Sequence, residues 1–118
     1  MRTTFRAVTV TITSGQSLSA EAQIGNSMIV GVLMPSTWTA ANLTFQFATG
    51  SGGTFFNVYD EYGFERTVSV AVTTGQYTQI EPNRLPCFNY VKVRSGTAGV
   101  PVNQGADRSI VLYVRDFE

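Results

Sequence analysis

The sequence predicts an all-β chain, an antiparallel two-sheet β-sandwich of about eight or nine strands, with a jelly roll as one way of winding it. Three observations carry this expectation. Apolar and polar residues alternate with period two in one short run after another, as strands with one solvated face require. Gly, Asn, Ser and Pro recur between the runs at the spacing of turns. No stretch shows the apolar period of an amphipathic helix.

Val8, Val10 and Ile12 alternate with threonines, a β-branched pattern suited to a pleated surface, and Ser14-Gly15 ends it. Leu18, Ala20, Ala22 and Ile24 then alternate with Ser19, Glu21 and Gln23 up to an expected turn at Gly25-Asn26. Residues 28–34 are nearly all apolar, which predicts a central strand, and Pro35 ends its ladder. Trp38 follows in a short polar connection, placed to cap one end of the core. Leu43, Phe45 and Phe47 alternate with Thr44 and Gln46 and predict a half-solvated strand.

Beyond a glycine-rich loop at residues 49–53, Phe55, Phe56, Val58 and Tyr59 form a short aromatic strand. It leads into a tight turn with an acidic lip, Asp60-Glu61-Tyr62-Gly63. Val68, Val70 and Val72 predict another strand, and residues 77–80 a brief edge strand. Pro82 and Pro86 bracket a segment that cannot lie inside a sheet. Val91 and Val93 then alternate with Tyr90, Lys92 and Arg94, and residues 110–114 close the fold. The longest irregular stretch, SGTAGVPVNQG at residues 95–105, is loop-like, and loops of that length are more often functional or docked than idle.

A chain of 118 residues fits one domain. Residues 1–6 precede the clearest alternation and are expected to form an N-terminal arm. With a single cysteine, Cys87, no internal disulfide can form, and a buried thiol is the expectation. The formal net charge is zero and the charged fraction of 14% is well below the usual quarter or so. Lysines and arginines are dispersed, which argues against a nucleic-acid surface. No run approaches the roughly 18 to 20 apolar residues of a membrane-spanning helix, and the N-terminus alternates instead of forming a signal-peptide core. The expectation is therefore a cytoplasmically made protein with neither membrane nor nucleic acid as partner.

There is no histidine to serve as a general base or zinc ligand, so no enzyme, metal or cofactor is expected. Asp60, Glu61 and Glu65 lie close in sequence, but their spacing lacks the rhythm of a calcium loop, and a solvated acidic turn is the plainer reading. Of the aromatic residues, Tyr62 and Phe64 flank Gly63 in a turn and are the best candidates for contact with a protein or a glycan. Val100, Pro101, Asn103 and Gln104 are the corresponding candidates in the long loop. Arg94, Asp107 and Arg108 border that loop and are expected to pin it by salt bridges.

The segment YVKVRSGTAGVPVNQGADRSIVLYV, residues 90–114, resembles a family of small structural proteins of tailed bacteriophage particles. The resemblance extends from about residue 14 onward through Met34-Pro35, Trp38-Thr39-Ala40, the LTFQ strand at residues 43–46 and the NVYDEYG turn at residues 57–63. It implies a virion component, a capsid decoration or cement protein, assembled in the host bacterial cytoplasm and present as repeated copies or a homo-oligomer. Its partners would be the major capsid protein or other virion proteins. The alternative it leaves open is a carbohydrate-binding or adaptor module of a tail fibre or spike.

Overall fold

β-Branched alternation at the start of the chain forms strand β1, Phe5–Ile12, and the continuous apolar run lies in the longest strand, β2, Ala22–Leu33. The remaining strands are β3 (Leu43–Ala48), β4 (Phe56–Asn57), β5 (Tyr77–Gln79), β6 (Pro86–Ser95) and β7 (Arg108–Asp116). The structure, a computed structural model, describes residues 5–81 and 84–116, with the side chains of residues 86–88 left aside. The expected role of Cys87, residues 82 and 83 of the proline-bracketed segment and the first four residues of the expected arm therefore lie outside the described residues. Pro86, expected to bound that segment, is the first residue of β6 and pairs with Met28, a strand position that proline tolerates. Phe5 and Arg6, also assigned to that arm, are instead the first residues of β1, in register with Arg115 and Val114 of β7.

All pairings are antiparallel, in the order β1-β7-β2-β6-β3-β4, with β5 on β2 as well. β2 organises this order by changing partners along its length. On one edge its first half pairs with β6, from Ala22↔Val91 to Met28↔Pro86, and its last residues pair with β5, from Gly31↔Gln79 to Leu33↔Tyr77. The opposite edge of its second half pairs with β7. The result is a β-sandwich-like roll in which β1 and β3, far apart in the strand order, supply one core. Val10 and Ile12 pack in the same cluster as Leu43, Phe45, Val91 and Ile110.

Among the described residues seven strands result where about eight or nine were expected. Two expected strands merge, because Gly25 and Asn26 do not turn the chain: Gly25, at φ 67°, sits opposite Asn89, at φ 71°, where the β2/β6 register shifts as a bulge inside a continuous strand. Residues 18–21 contribute only a bridge, Leu18↔Arg94, and Ser19 is buried with its hydroxyl accepting the Val93 amide at 2.9 Å. The expected strand through Val68, Val70 and Val72 is reduced to one bridge, Leu43↔Val68. There the Asn42 side-chain oxygen accepts the amides of Val70 and Ala71, both at 3.2 Å, in place of a neighbouring strand.

β3 departs from its expected half-solvated state. Phe45 and Leu43 are in the core as the alternation requires, but Thr44 on the other face is also fully buried, its hydroxyl donating to the Gly96 carbonyl at 2.7 Å. The loop after β6 covers this outer face. Trp38 behaves as its position suggests, buried with Nε1 donating to the Ala41 carbonyl at 2.9 Å.

One close approach fixes a residue choice on the outer face. A Cβ at Gly31 would lie 1.9 Å from the Tyr77 hydroxyl, whose ring packs edge-on against Tyr113 with centroids 5.4 Å apart. Gly31→Ala must therefore swing out a half-exposed ring and lose that contact, an expected cost of about 1 kcal/mol in denaturant unfolding. In a Tyr77→Ala background the same substitution should cost much less, and an undiminished cost there would place the strain elsewhere.

Candidate functional site

The chemistry-bearing side chains gather on the outer face of β6, β3 and β4 and on the turn that follows β4. Asn57, Thr44, Gln46, Lys92 and Arg94 reach this face because they alternate with core residues in register across three strands. Arg94 is 7% exposed and is the centre of the group. Its guanidinium donates to Glu65 Oε2 at 3.1 Å, to Asn57 Oδ1 at 2.6 Å and to Thr44 Oγ1 at 3.3 Å. Glu65 in turn accepts the Ala98 amide, at 3.1 Å and 3.2 Å from its two oxygens. A buried charge is tolerable only when paired and hydrogen-bonded in this way.

This arrangement ties the first half of the long loop to the turn of Tyr62 and Phe64. Arg94 thus pins the loop through Glu65, as expected of a salt bridge. Asp107 and Arg108 do so by hydrogen bonds: Asp107 Oδ1 accepts the Ser14 amide at 2.8 Å, and Arg108 Nε donates to Gln104 Oε1 at 3.2 Å.

The turn itself is built by Asp60. Its Oδ1 accepts the amides of Phe64 at 2.9 Å and Tyr62 at 2.8 Å, while its own amide donates to the Phe64 carbonyl at 2.8 Å. The hydrogen bond from Phe64, and then that from Tyr62, hold the carboxyl below its ordinary value despite the opposing effect of desolvation. Glu21 plays the same part for the glycine-rich loop, accepting from the Ser51 hydroxyl and, at 2.9 Å, from the Gly52 amide. These two bonds, the Ser51 one foremost, lower its pKa.

Of the residues singled out from sequence, Tyr62 is 78% exposed, Phe64 70% and Val100 71%, and Pro101 and Asn103 are also exposed. Gln104 is a correction. It is 1% exposed, its amide donating to the Thr39 carbonyl and to Ser95 Oγ, its side-chain oxygen accepting from the Thr39 amide and Arg108. All its polar capacity is spent inside the fold, so it holds the loop and presents nothing. The loop is accordingly divided. Residues 97–101 belong with the aromatic turn, whereas Gln104 packs with Thr39 and exchanges backbone hydrogen bonds with Gly15 and Gln16.

Sequence reasoning underweighted Phe56, which is 68% exposed beside the sheet-edge strand position of Asn57. The signal was present: Phe55 and Phe56 are consecutive in an extended segment, so their side chains cannot share one face. Phe55 instead lies under Lys92, whose Nζ is 4.5 Å from the ring centroid. Tyr59 is half exposed, bridged to Glu65. An open cleft of about 290 Å³ lies elsewhere, between residues 67–69 and 78–81. Among the described residues no group of three or more His, Cys, Asp or Glu is placed to hold a metal ion. Comparison with protein families, with curated proteins and with solved structures finds no match to this chain.

Two outcomes are expected from this geometry. Glu65→Gln leaves the buried guanidinium without a counter-charge and should cost about 3 kcal/mol in chemical denaturation, whereas Glu65→Leu combined with Arg94→Met should cost less than either single change. Asp60 supports its turn as a carboxylate. Because its folded pKa is depressed below 3.8, that support is complete above this ordinary value and lost as pH falls through the lower folded one. The Tyr62 and Phe64 amide resonances should shift together in that acidic window, and neither should move there in Asp60→Asn.

Proposed function

We propose that this chain is a structural component of a tailed-phage particle, a capsid decoration or cement protein that binds the capsid lattice in many copies. The observation that carries the reading is the exposure of four aromatic side chains, Phe56, Tyr59, Tyr62 and Phe64, on β4 and the turn after it, where Asp60 and Glu65 are spent on rigidity. Aromatic side chains held in place bury much area at small entropic cost, which suits protein contact. The sequence resemblance points the same way. We read the pairing set as a jelly roll: β1 with β7, residues 18–28 with β6, the end of β2 with β5, and β3 with β4 are the successive rungs of one long hairpin rolled up. Repeated copies would add avidity to a contact that is modest singly.

A second reading has its own observation. The half-buried Gln46 and exposed Asn57 side chains, hydrogen-bonded at 3.0 Å, lie on the strands next to exposed Phe56, a mixture that also suits stacking and hydrogen bonding to a sugar, as on a tail fibre. Particles assembled without this chain and then mixed with it should take it up saturably, and Tyr62→Ala with Phe64→Ala should reduce uptake at least tenfold. Binding to a glycan array, lost in Tyr62→Ala, with no uptake by particles would favour the sugar-binding module. Binding to neither would overturn both.

A further inference from the structure

We infer that β1 is a self-pairing edge, through which two copies of this chain join their sheets antiparallel about a two-fold axis. The hydrogen-bond phase of the sheet shows which backbone groups are free. The Met34 amide donates to Gln76 O and the Ile80 amide to Val30 O, so Val30, Val32 and Met34 direct their backbone groups towards β5. Gly31 and Leu33 therefore direct theirs to Tyr113 and Val111 of β7. Val114, Leu112 and Ile110, the alternate residues of β7, face Arg6, Val8 and Val10 of β1. It follows that Phe5, Ala7, Thr9 and Thr11 point both N–H and C=O away from β7, at the end of the strand order.

This edge is long, regular and free of proline, and it carries a single charge. β1 is eight residues long, without proline, and its register with β7 runs unbroken from Phe5↔Arg115 to Ile12↔Arg108. That charge is Arg6, partly exposed and already paired, with Nη2 donating to the Ile24 carbonyl at 2.6 Å and to Asp116 at 3.0 Å. The other ends of the sheet are short, two residues in β4 and three in β5.

The occupant that fits is a second copy. In a two-fold pairing that keeps core face with core face, residues of like parity must oppose one another, and centring the axis on Val8 satisfies this. Ala7 then exchanges hydrogen bonds with Thr9 of the mate, and Phe5 with Thr11, using every free group. No charge meets a like charge, since Arg6 falls opposite Val10, and a formal net charge of zero gives the two copies no long-range repulsion. Phe5, 64% exposed, adds apolar contact at each end of the seam.

The pairing does not rest on the phage reading. Sedimentation of the full chain should show a mass rising with concentration from 12.8 kDa towards twice that value. The amides of Ala7, Thr9 and Thr11 should become at least tenfold slower in hydrogen exchange over the same range. Thr9→Pro removes a free N–H without touching the β7 ladder, and should stay at monomer mass with an otherwise native spectrum. A wild-type chain that remains monomeric up to its solubility limit overturns the pairing, as does a dimer in which those three amides exchange no more slowly. A folded Thr9→Pro protein that still dimerises would overturn it equally, and if that variant does not fold, the exchange data on the wild type decide. None of these results depends on whether particles take the protein up.

Discussion

Ser27 and Met28 are paired on both sides, to Cys87 and Pro86 of β6 and to Asp116 and Arg115 of β7, and the rest of the structure depends on that overlap. A strand that serves two neighbours in succession must be covered on both faces wherever the partners exchange, which is why its centre is an apolar run and not an alternation. Ser27 is the exception that the crossing permits, since its buried hydroxyl donates to the Ile24 carbonyl at 2.7 Å and leaves no polar atom unpaired. The Gly25 bulge just before it supplies the extra twist by which the strand leaves β6 for β7. Without a strand long enough to span both partners, β1-β7 and β6-β3-β4 would have no common axis around which to roll.

A second, polar layer lies outside the core and fixes the connections to it. Gln104 does for residues 103–108 what Arg94 and Glu65 do for residues 96–101, and Thr44 links the second set directly to β3. Among the described residues no buried side-chain nitrogen or oxygen lacks a partner. In a medium of low polarity such networks are all-or-none: each group is held because its neighbours are, so loops that look adaptable in composition become part of the frame.

The sequence conveyed the fold class, the centrality of residues 28–34 and the tight turn at Asp60, because each rests on local chemistry: period, apolar continuity and a side chain that caps its own backbone. It conveyed strand number less well. Gly25-Asn26 carries the composition of a turn, and only the partner strand, with Asn89 opposite, makes it a bulge. Val68, Val70 and Val72 alternate properly, yet Val72 is 90% exposed, since a strand also needs a neighbour and Asn42 occupies that place. The site was legible in the same measure. Tyr62 and Phe64 follow from turn chemistry, whereas the burial of Gln104 depends on Thr39, 65 residues away in the chain, and no local pattern contains it.

The acidic residues show how that frame shapes the surface. Asp60 and Glu65, the pair that could suggest acid chemistry, have their oxygens engaged by backbone amides and a buried guanidinium, and Glu21 is engaged by Ser51 and Gly52. Carboxylates used in this way stiffen three separate loops but contribute little outward field. Beside these loops a partner meets exposed aromatic rings, a valine and proline at the loop tip, and β1 at the end of the strand order. Contacts of that kind gain from buried apolar area and from hydrogen bonds in fixed directions, and little from steering by charge. The association proposed through this surface would therefore depend weakly on salt and strongly on geometry, which the rigid attachment of the loops preserves.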